Sequence, residues 1–493
     1  MKRYVLDENT IALEEKMNRF FASLIIISII LIVWATTSYA QSEQMQHMEP
    51  TAPDQIPQAP NPPIYQDDFP LFPDEYESVD NSYDPVSTAQ DHNFTGLLDT
   101  RLGIRTQSGI DEDEFSIGEA RLQMNYQHKV EGLTLNCKVD FVLDPVLDSY
   151  PIRIKEGTGF IDLRELNMSI IPTDFIDIII GRQTLSWGTG DLLFINNLFP
   201  KDHQALYIGR DESYFNAPTD AIKVGFYSLF ANLDIVYVPW FDSDRIPIGE
   251  RLSYYNNFFG TRVGRNHILD LNKPDDLFED TEWSTRLYNT IGDFELALYT
   301  YNGYWKSPGG FEPGTLKGIY PKLNVYGFSA QGPVARGIAC FEMGLYESKN
   351  DKAGNNPFIK NSQLRMLFGY RFDMPGQMQL STQYYIEIMR DHKQYQENLS
   401  LILPDEKPED EGRHVITMRL TRQMIDPNIH MSFLVYYCPT DTDMYVRPAM
   451  QYRFDDNISF IGGANFFVGN EDHTYFGQYE RNSNIYGGAQ YRF

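Results

Sequence analysis

The chain has 493 residues, a formal net charge of −27, and 32 Tyr and 32 Phe that bring its aromatic content to 14%. Such a charge excludes a general nucleic-acid binder, which carries a basic face. Mean hydropathy is −0.40. A polar average with this much aromatic surface suits either a barrel with a wet lumen and aromatic girdles or an extracellular carbohydrate-binding β protein.

The first 40 residues read as a secretory signal. Asn18-Arg19 precede an apolar run from Leu24 to Trp34, and Ser38-Tyr39-Ala40 supply small residues ahead of Gln41. The acidic stretch before Met17 makes Met17 an alternative start, and an uncleaved anchor is the competing reading of the whole segment. No other stretch reaches the ~18 apolar residues of a spanning helix, so any further membrane crossing uses strands. Residues 41–92 are Pro-rich and acidic, with no Lys or Arg. They are expected to form a disordered periplasmic arm, with a tether to a periplasmic partner as the functional alternative.

From residue 93 to 493 the pattern is strand after strand. In "LLDTRLGIR", Asp99, Arg101 and Arg105 share one face, and Leu98, Leu102 and Ile104 share the other. Glu119, Arg121, Gln123 and Asn125 alternate with Ala120, Leu122, Met124 and Tyr126, and Asn136, Lys138 and Asp140 with Leu135, Cys137, Val139 and Phe141. Roughly 18 such segments occur, each about the length a tilted membrane strand needs. Connections alternate between short turns, such as Ile291-Gly292-Asp293, and long loops at 144–158, 185–217, 239–278, 304–318, 348–362, 391–412 and 469–481. A soluble sandwich has no reason to keep its long loops at one end, whereas an outer-membrane barrel does. The expected fold is therefore all-β, a single transmembrane antiparallel β-barrel with short periplasmic turns and long extracellular loops. Its setting would be the lipid of the bacterial outer membrane. The last strand alternates to Tyr491 and Phe493 and resembles the C-terminal signal read by barrel-assembly machinery.

Motifs for chemistry are few. The glycines of "WGTGD" (187–191) are not followed by Gly-Lys-Ser/Thr or by a helix, so they do not form a phosphate loop. Neither G-x-S-x-G nor H-E-x-x-H occurs. His203, with Asp202 and Asp211 nearby in sequence, reads as a loop histidine among loop acids, with a hydrolase or cation site as the alternative. Cys137, Cys340 and Cys438 are too scattered for a disulfide framework or zinc site. No enzyme activity, cofactor or metal is expected.

Gly181-Arg182-Gln183, followed by Leu185, Trp187-Gly188, Gly190 and Leu192, resembles the G-R-Q-x-L-x-[Y/W]-G-x-G stretch of alginate-export-type outer-membrane porins. Arg164-Glu165 and the turn at Pro172-Thr173-Asp174 sit where that family places the partner strand. The resemblance implies a passive monomeric channel. Thr189 and Asp191 stand where the family commonly has an acidic and a basic residue, so alginate itself is not assigned as the solute.

Strand parity turns Arg101, Arg105, Arg121, Lys138, Lys223, Arg365, Arg371, Arg419, Arg447 and Arg453 inward, together with Asp99, Glu119, Asp140, Asp177, Glu295, Glu342 and Glu387. The eight arginines are candidate solute contacts. Pairing across the wall is the competing role, and Arg371, Arg419, Arg447 and Arg453 have the fewest acidic neighbours in sequence. Loop 185–217 is expected to enter the lumen as a constriction, against the alternative of an external loop on the rim. Trp187, Phe194, Phe199 and Tyr207 would offer stacking faces there, and Asp191, Asn196 and Asn197 polar contacts. The function this implies is passive passage of a hydrophilic small or oligosaccharide-like solute, with anions favoured if the arginines face it. A non-transporting receptor, adhesin or anchor is the rival.

Overall fold

A computed structural model describes residues 91–493, apart from short stretches at 108–111, 148–150, 157–158, 192, 257–259, 405–406 and 424–427. The expected signal segment and all but the last two residues of the expected arm lie outside the described residues. Strand β1 spans Asp91–Arg105, β2 Phe115–Val130, β3 Leu133–Leu143, β4 Ile161–Thr173, β5 Ile176–Thr184 and β6 Pro218–Phe226. Next come β7 Asn232–Val238, β8 Glu282–Ile291, β9 Phe294–Tyr304, β10 Lys322–Val334, β11 Gly337–Ser348 and β12 Gln363–Met374. The ring is completed by β13 Met378–Met389, β14 Gly412–Gln423, β15 Ile429–Cys438, β16 Asp443–Arg453, β17 Ile458–Gly469 and β18 Asn484–Arg492.

These strands form one antiparallel sheet of 18 in which each pairs with its neighbours in sequence. Strand β18 returns to β1, from Leu97 opposite Arg492 to Arg105 opposite Asn484. The sheet is thus a closed barrel with no free edge. The first strand begins at Asp91, two residues before the expected boundary.

Burial runs opposite to that of a soluble protein. Leu298, Phe368 and Ile485 point outward and are each more than half exposed, while Asp99, Glu119, Arg121 and Glu342 point inward and are buried. Only lipid outside the wall makes that arrangement favourable, because apolar side chains then replace the contacts that a core would give. Two-residue turns close β2–β3 and β8–β9, with Gly132 and Gly292 at φ 72° and 65°, which such tight hairpins require. At the other end the connections are long, reaching 185–217 and 239–281. The loops 106–114 and 439–442 are the short members of that set.

Candidate functional site: a lumen crossed by one loop

The site begins where β5 ends. Gly181 has φ 117°, and a Cβ there would lie 2.3 Å from the Leu166 carbonyl oxygen, so only glycine lets β4 and β5 meet at this point. Arg182 donates to both oxygens of Asp220, at 3.0 and 2.6 Å. Gln183 Nε2 donates to the Ala221 carbonyl at 3.1 Å. The Arg and Gln of the motif therefore fasten β5 to β6 instead of meeting a solute.

Past β5 the chain turns into the barrel. Trp187 packs edge-on against Phe199, with ring centres 4.9 Å apart, and lies 6.2 Å from Tyr299 on β9. At Gly188, φ is 88° and a Cβ would approach Glu342 Oε1 to 2.7 Å. The next residues wrap the carboxylate of Glu342, which projects inward from β11. It accepts bonds from the Thr189 amide, the Thr189 hydroxyl (3.0 Å), the Gly190 amide (3.0 Å), the Asn196 amide (3.2 Å) and Asn196 Nδ2 (3.0 Å). The glycine turn thus cradles a carboxyl group of the protein's own wall.

The loop then crosses to the far wall. Asp191 Oδ2 lies 2.8 Å from Arg419 Nε on β14, and the Asp191 amide donates to Gln383 on β13 at 3.1 Å. Asp202 caps helix α1 (His203–Ile208) by accepting from the Ala205 amide. Gly209 ends the helix in a left-handed conformation, and its carbonyl accepts from Arg101 Nη1 at 2.6 Å. Tyr207 is inserted among Tyr445, Phe467 and Tyr479, with ring centres 5.2–5.6 Å away. Arg210 pairs with Glu119 on β2 at 2.7 Å. Glu212 bridges Arg419 (2.9 Å) and Arg447. Arg121 stacks 4.3 Å over Tyr214, and Arg164 donates to the Asn216 carbonyl at 2.7 Å. One loop is thus tied to walls all around the ring.

Cavities lie on both sides of it. Toward the long-loop end, a cavity of about 300 Å³ is bordered by Lys201, Lys306, Lys360, Arg365 and Arg413 and by only two carboxylates, Asp244 and Glu387. Toward the short-turn end, one of about 550 Å³ is bordered by Asp191, Arg371, Gln383 and Arg419. A third, of about 370 Å³, continues past Glu212 to Arg447 and Gln451. Phe194 and Phe215, with ring centres 5.5 Å apart, border both the first cavity and the second. They mark the neck.

This geometry revises several expectations. Trp187, Phe199 and Tyr207 are buried, at 6%, 3% and 3% exposure. Trp187 and Tyr207 pack on wall rings and Phe199 on Trp187, so they mainly anchor the loop while still bordering the middle (Trp187) and upper (Phe199, Tyr207) cavities. Asn196 and Asn197 spend their amides inside the structure, on Glu342 and Phe328 and on Ser186 and Lys201. Phe194 borders both the upper and the middle cavity, Asp191 the middle one and Asn197 the upper one. Arg419 and Arg447 have acidic neighbours after all, supplied by the loop and hence far away in sequence. Arg101 and Arg121 are paired with Asp99 and with Glu119 and Asp140. Arg105 donates to the Phe115 carbonyl at 2.8 Å and also to the Asp113 and Arg251 carbonyls, tying loops to the wall. Arg365 pairs with Glu387 at 3.2 Å and lies 4.0 Å over the Tyr346 ring, facing the upper cavity. Arg371 borders the middle cavity, and Arg453 lies at the short-turn end of β16.

The sequence reading did not name Lys201, Arg210, Glu212 or Phe215. Glu212 carried no signal beyond being an acid in a loop. Burial pulls Lys201 down to about 7, with Asp244 opposing and Lys306 adding to the shift. His203 is also pulled down by burial; its ring packs edge-on against Phe215, and Nε2 lies 3.9 Å from Asp244. Tyr491 and Phe493 stack at 5.9 Å. The Phe493 ring covers Gly96 of β1, whose amide and carbonyl exchange backbone bonds with Phe493 at 2.7 and 3.0 Å.

No family model matches the chain, and no curated protein does. Among solved structures it is similar to Acinetobacter baumannii OccAB4, at 9% identity and a TM-score of 0.50, covering 83% of this chain and 100% of that one. Pseudomonas aeruginosa OccD3 (OpdP) aligns at 7% identity with a TM-score of 0.49, over 82% of this chain and 93% of that one. At these identities the likeness speaks to the fold alone: the chain is built like outer-membrane porin-type barrels.

Proposed function

We propose that this protein is a bacterial outer-membrane channel that passes a small hydrophilic solute down its gradient through a lumen narrowed by loop 185–217. The observation that carries the reading is the loop's course across the lumen, with cavities above and below that share Phe194 and Phe215 as lining. Filtering would be by size at that neck and by charge above it. The upper cavity is bordered by five basic side chains and two carboxylates, with Glu282 and Asp441 pairing Lys306 and Arg413 behind them. The small basic excess that remains favours anions, since rings of charge set selectivity in narrow pores. Acidic sugars suit that lining, and so does the resemblance of residues 181–192 to alginate-export-type porins.

Planar-bilayer recording tests the reading: the folded protein should give discrete conductance steps, with a reversal potential in a salt gradient displaced toward the anion. Arg371→Glu should move that potential toward cations, because Arg371 borders the middle cavity. Cation selectivity of the unmodified protein would remove the anion assignment while leaving the channel. A second reading, a closed barrel serving as receptor or anchor, is favoured by the number of bonds that hold the loop; it requires no conductance at all.

A further inference from the structure

The outer wall between β14 and β17 carries a feature that solute passage does not use. On β14, Ile416, Met418, Leu420 and Arg422 point outward; Ile416 and Met418 are 43% and 38% exposed. Arg422 lies in register between Met378 of β13 and Met431 of β15, next to the short turn that ends β14. It is exposed, and among the described residues it has no ion pair or hydrogen bond.

Beside it a groove of about 420 Å³ opens on the outer face, bordered by Leu420, Phe433, Pro448, Met450 and Gly462. Its depth has a covalent cause. Pro448 has no N–H, the β16–β17 ladder lapses between Val446 and Ala449, and Gly462 has no side chain to fill the gap. Phe433 and Met450 stand on its flanks, 40% and 46% exposed. Leu420, opposite Phe433 and then Pro448 in register, lies two residues from Arg422, or about 7 Å toward the membrane middle. A cation at the interface is thus continuous with an apolar trough running into the hydrocarbon.

We propose that this face binds one phospholipid, with its phosphate on Arg422 and one acyl chain in the groove. The charge selects a phosphate, and the apolar lining excludes free inorganic phosphate as the natural occupant. The groove opens on the outer face, while Arg422 and Met450 also border the third cavity at the short-turn rim; the proposal does not depend on whether the barrel conducts.

The test uses the full-length protein, purified in detergent, stripped of lipid and followed by native mass spectrometry. Dipalmitoyl phosphatidylglycerol should be retained in one copy. Retention should weaken about fivefold in Arg422→Gln, the worth of one interfacial cation, and recover in Arg422→Lys. Gly462→Leu, which fills the groove, should abolish it, and dipalmitoylglycerol, which lacks the phosphate, should bind more weakly in the unmodified protein. Equal retention by Arg422→Gln and the unmodified protein would overturn the proposal. So would a dimer or trimer that Gly462→Leu dissociates without changing lipid retention, since the face would then belong to a second copy of the chain. Arg422→Gln and Arg422→Lys leave the groove intact, so they decide the matter even where Gly462→Leu fails to fold.

Discussion

Glu342 shows how much rests on one carboxylate. Truncation to Ala leaves the Thr189, Gly190 and Asn196 donors unpaired inside the lumen, and each buried unpaired donor costs about 1–3 kcal/mol. Glu342→Ala should therefore free the start of the loop, lower the thermal midpoint of the barrel in detergent and raise its conductance. Gly188→Ala should act the same way through its clash with Glu342 Oε1. Unchanged conductance and midpoint in both would mean that the cradle does not position the loop. The glycines of 187–191 were visible in the sequence as a turn, and Glu342 as an inward charge. Their meeting was not, because 153 residues separate Thr189 from Glu342 and five barrel strands, β6 to β10, lie between. Lys201 gives a second residue-scale test. It is protonated below about 7 and neutral above, and it borders the upper cavity together with Asp244. Anion preference should fall as pH rises from 6 to 8 with a midpoint near 7, and Lys201→Met should abolish the change. Burial also pulls the His203 ring down, so the Lys201→Met variant is what assigns the midpoint to the lysine. A flat reversal potential across it would show that Lys201 does not sense the pathway.

At the scale of elements, the strands were legible and the loop's attachments were not. Period-two alternation assigned Arg101, Glu119, Asp140 and Arg365 to the inner face because an outward charge would meet lipid, and the burial pattern follows that rule. Alternation gives a direction but no partner. Arg419 and Arg447 looked unopposed for that reason, until loop 185–217 brings Glu212 between them. The aromatics of the loop misled in the same way: Trp187 and Tyr207 anchor it against wall rings. Glu212→Ala leaves two buried guanidinium groups without their shared carboxylate, and breaking a buried pair costs about 3–5 kcal/mol. Limited proteolysis should then cut within 185–217 in the folded variant and spare the unmodified protein. Resistance equal to the parent would assign the loop's hold to its other ties.

For the molecule as a whole, closure depends on the β1–β18 seam. Phe493 seats its ring over Gly96 and exchanges backbone bonds with it. Phe493→Ala should slow assembly and reduce the heat-modifiable folded form, and Gly96→Leu, which occupies the ring's place, should do so more severely. Full yields of folded barrel from both would remove the ring from the account of closure. The central claim is that the narrowed lumen conducts, and single-channel recording of the folded, heat-modifiable protein in a planar bilayer tests it most directly. The account predicts small discrete steps that grow when Glu342→Ala releases the loop. A silent bilayer with both the unmodified protein and that variant would contradict it.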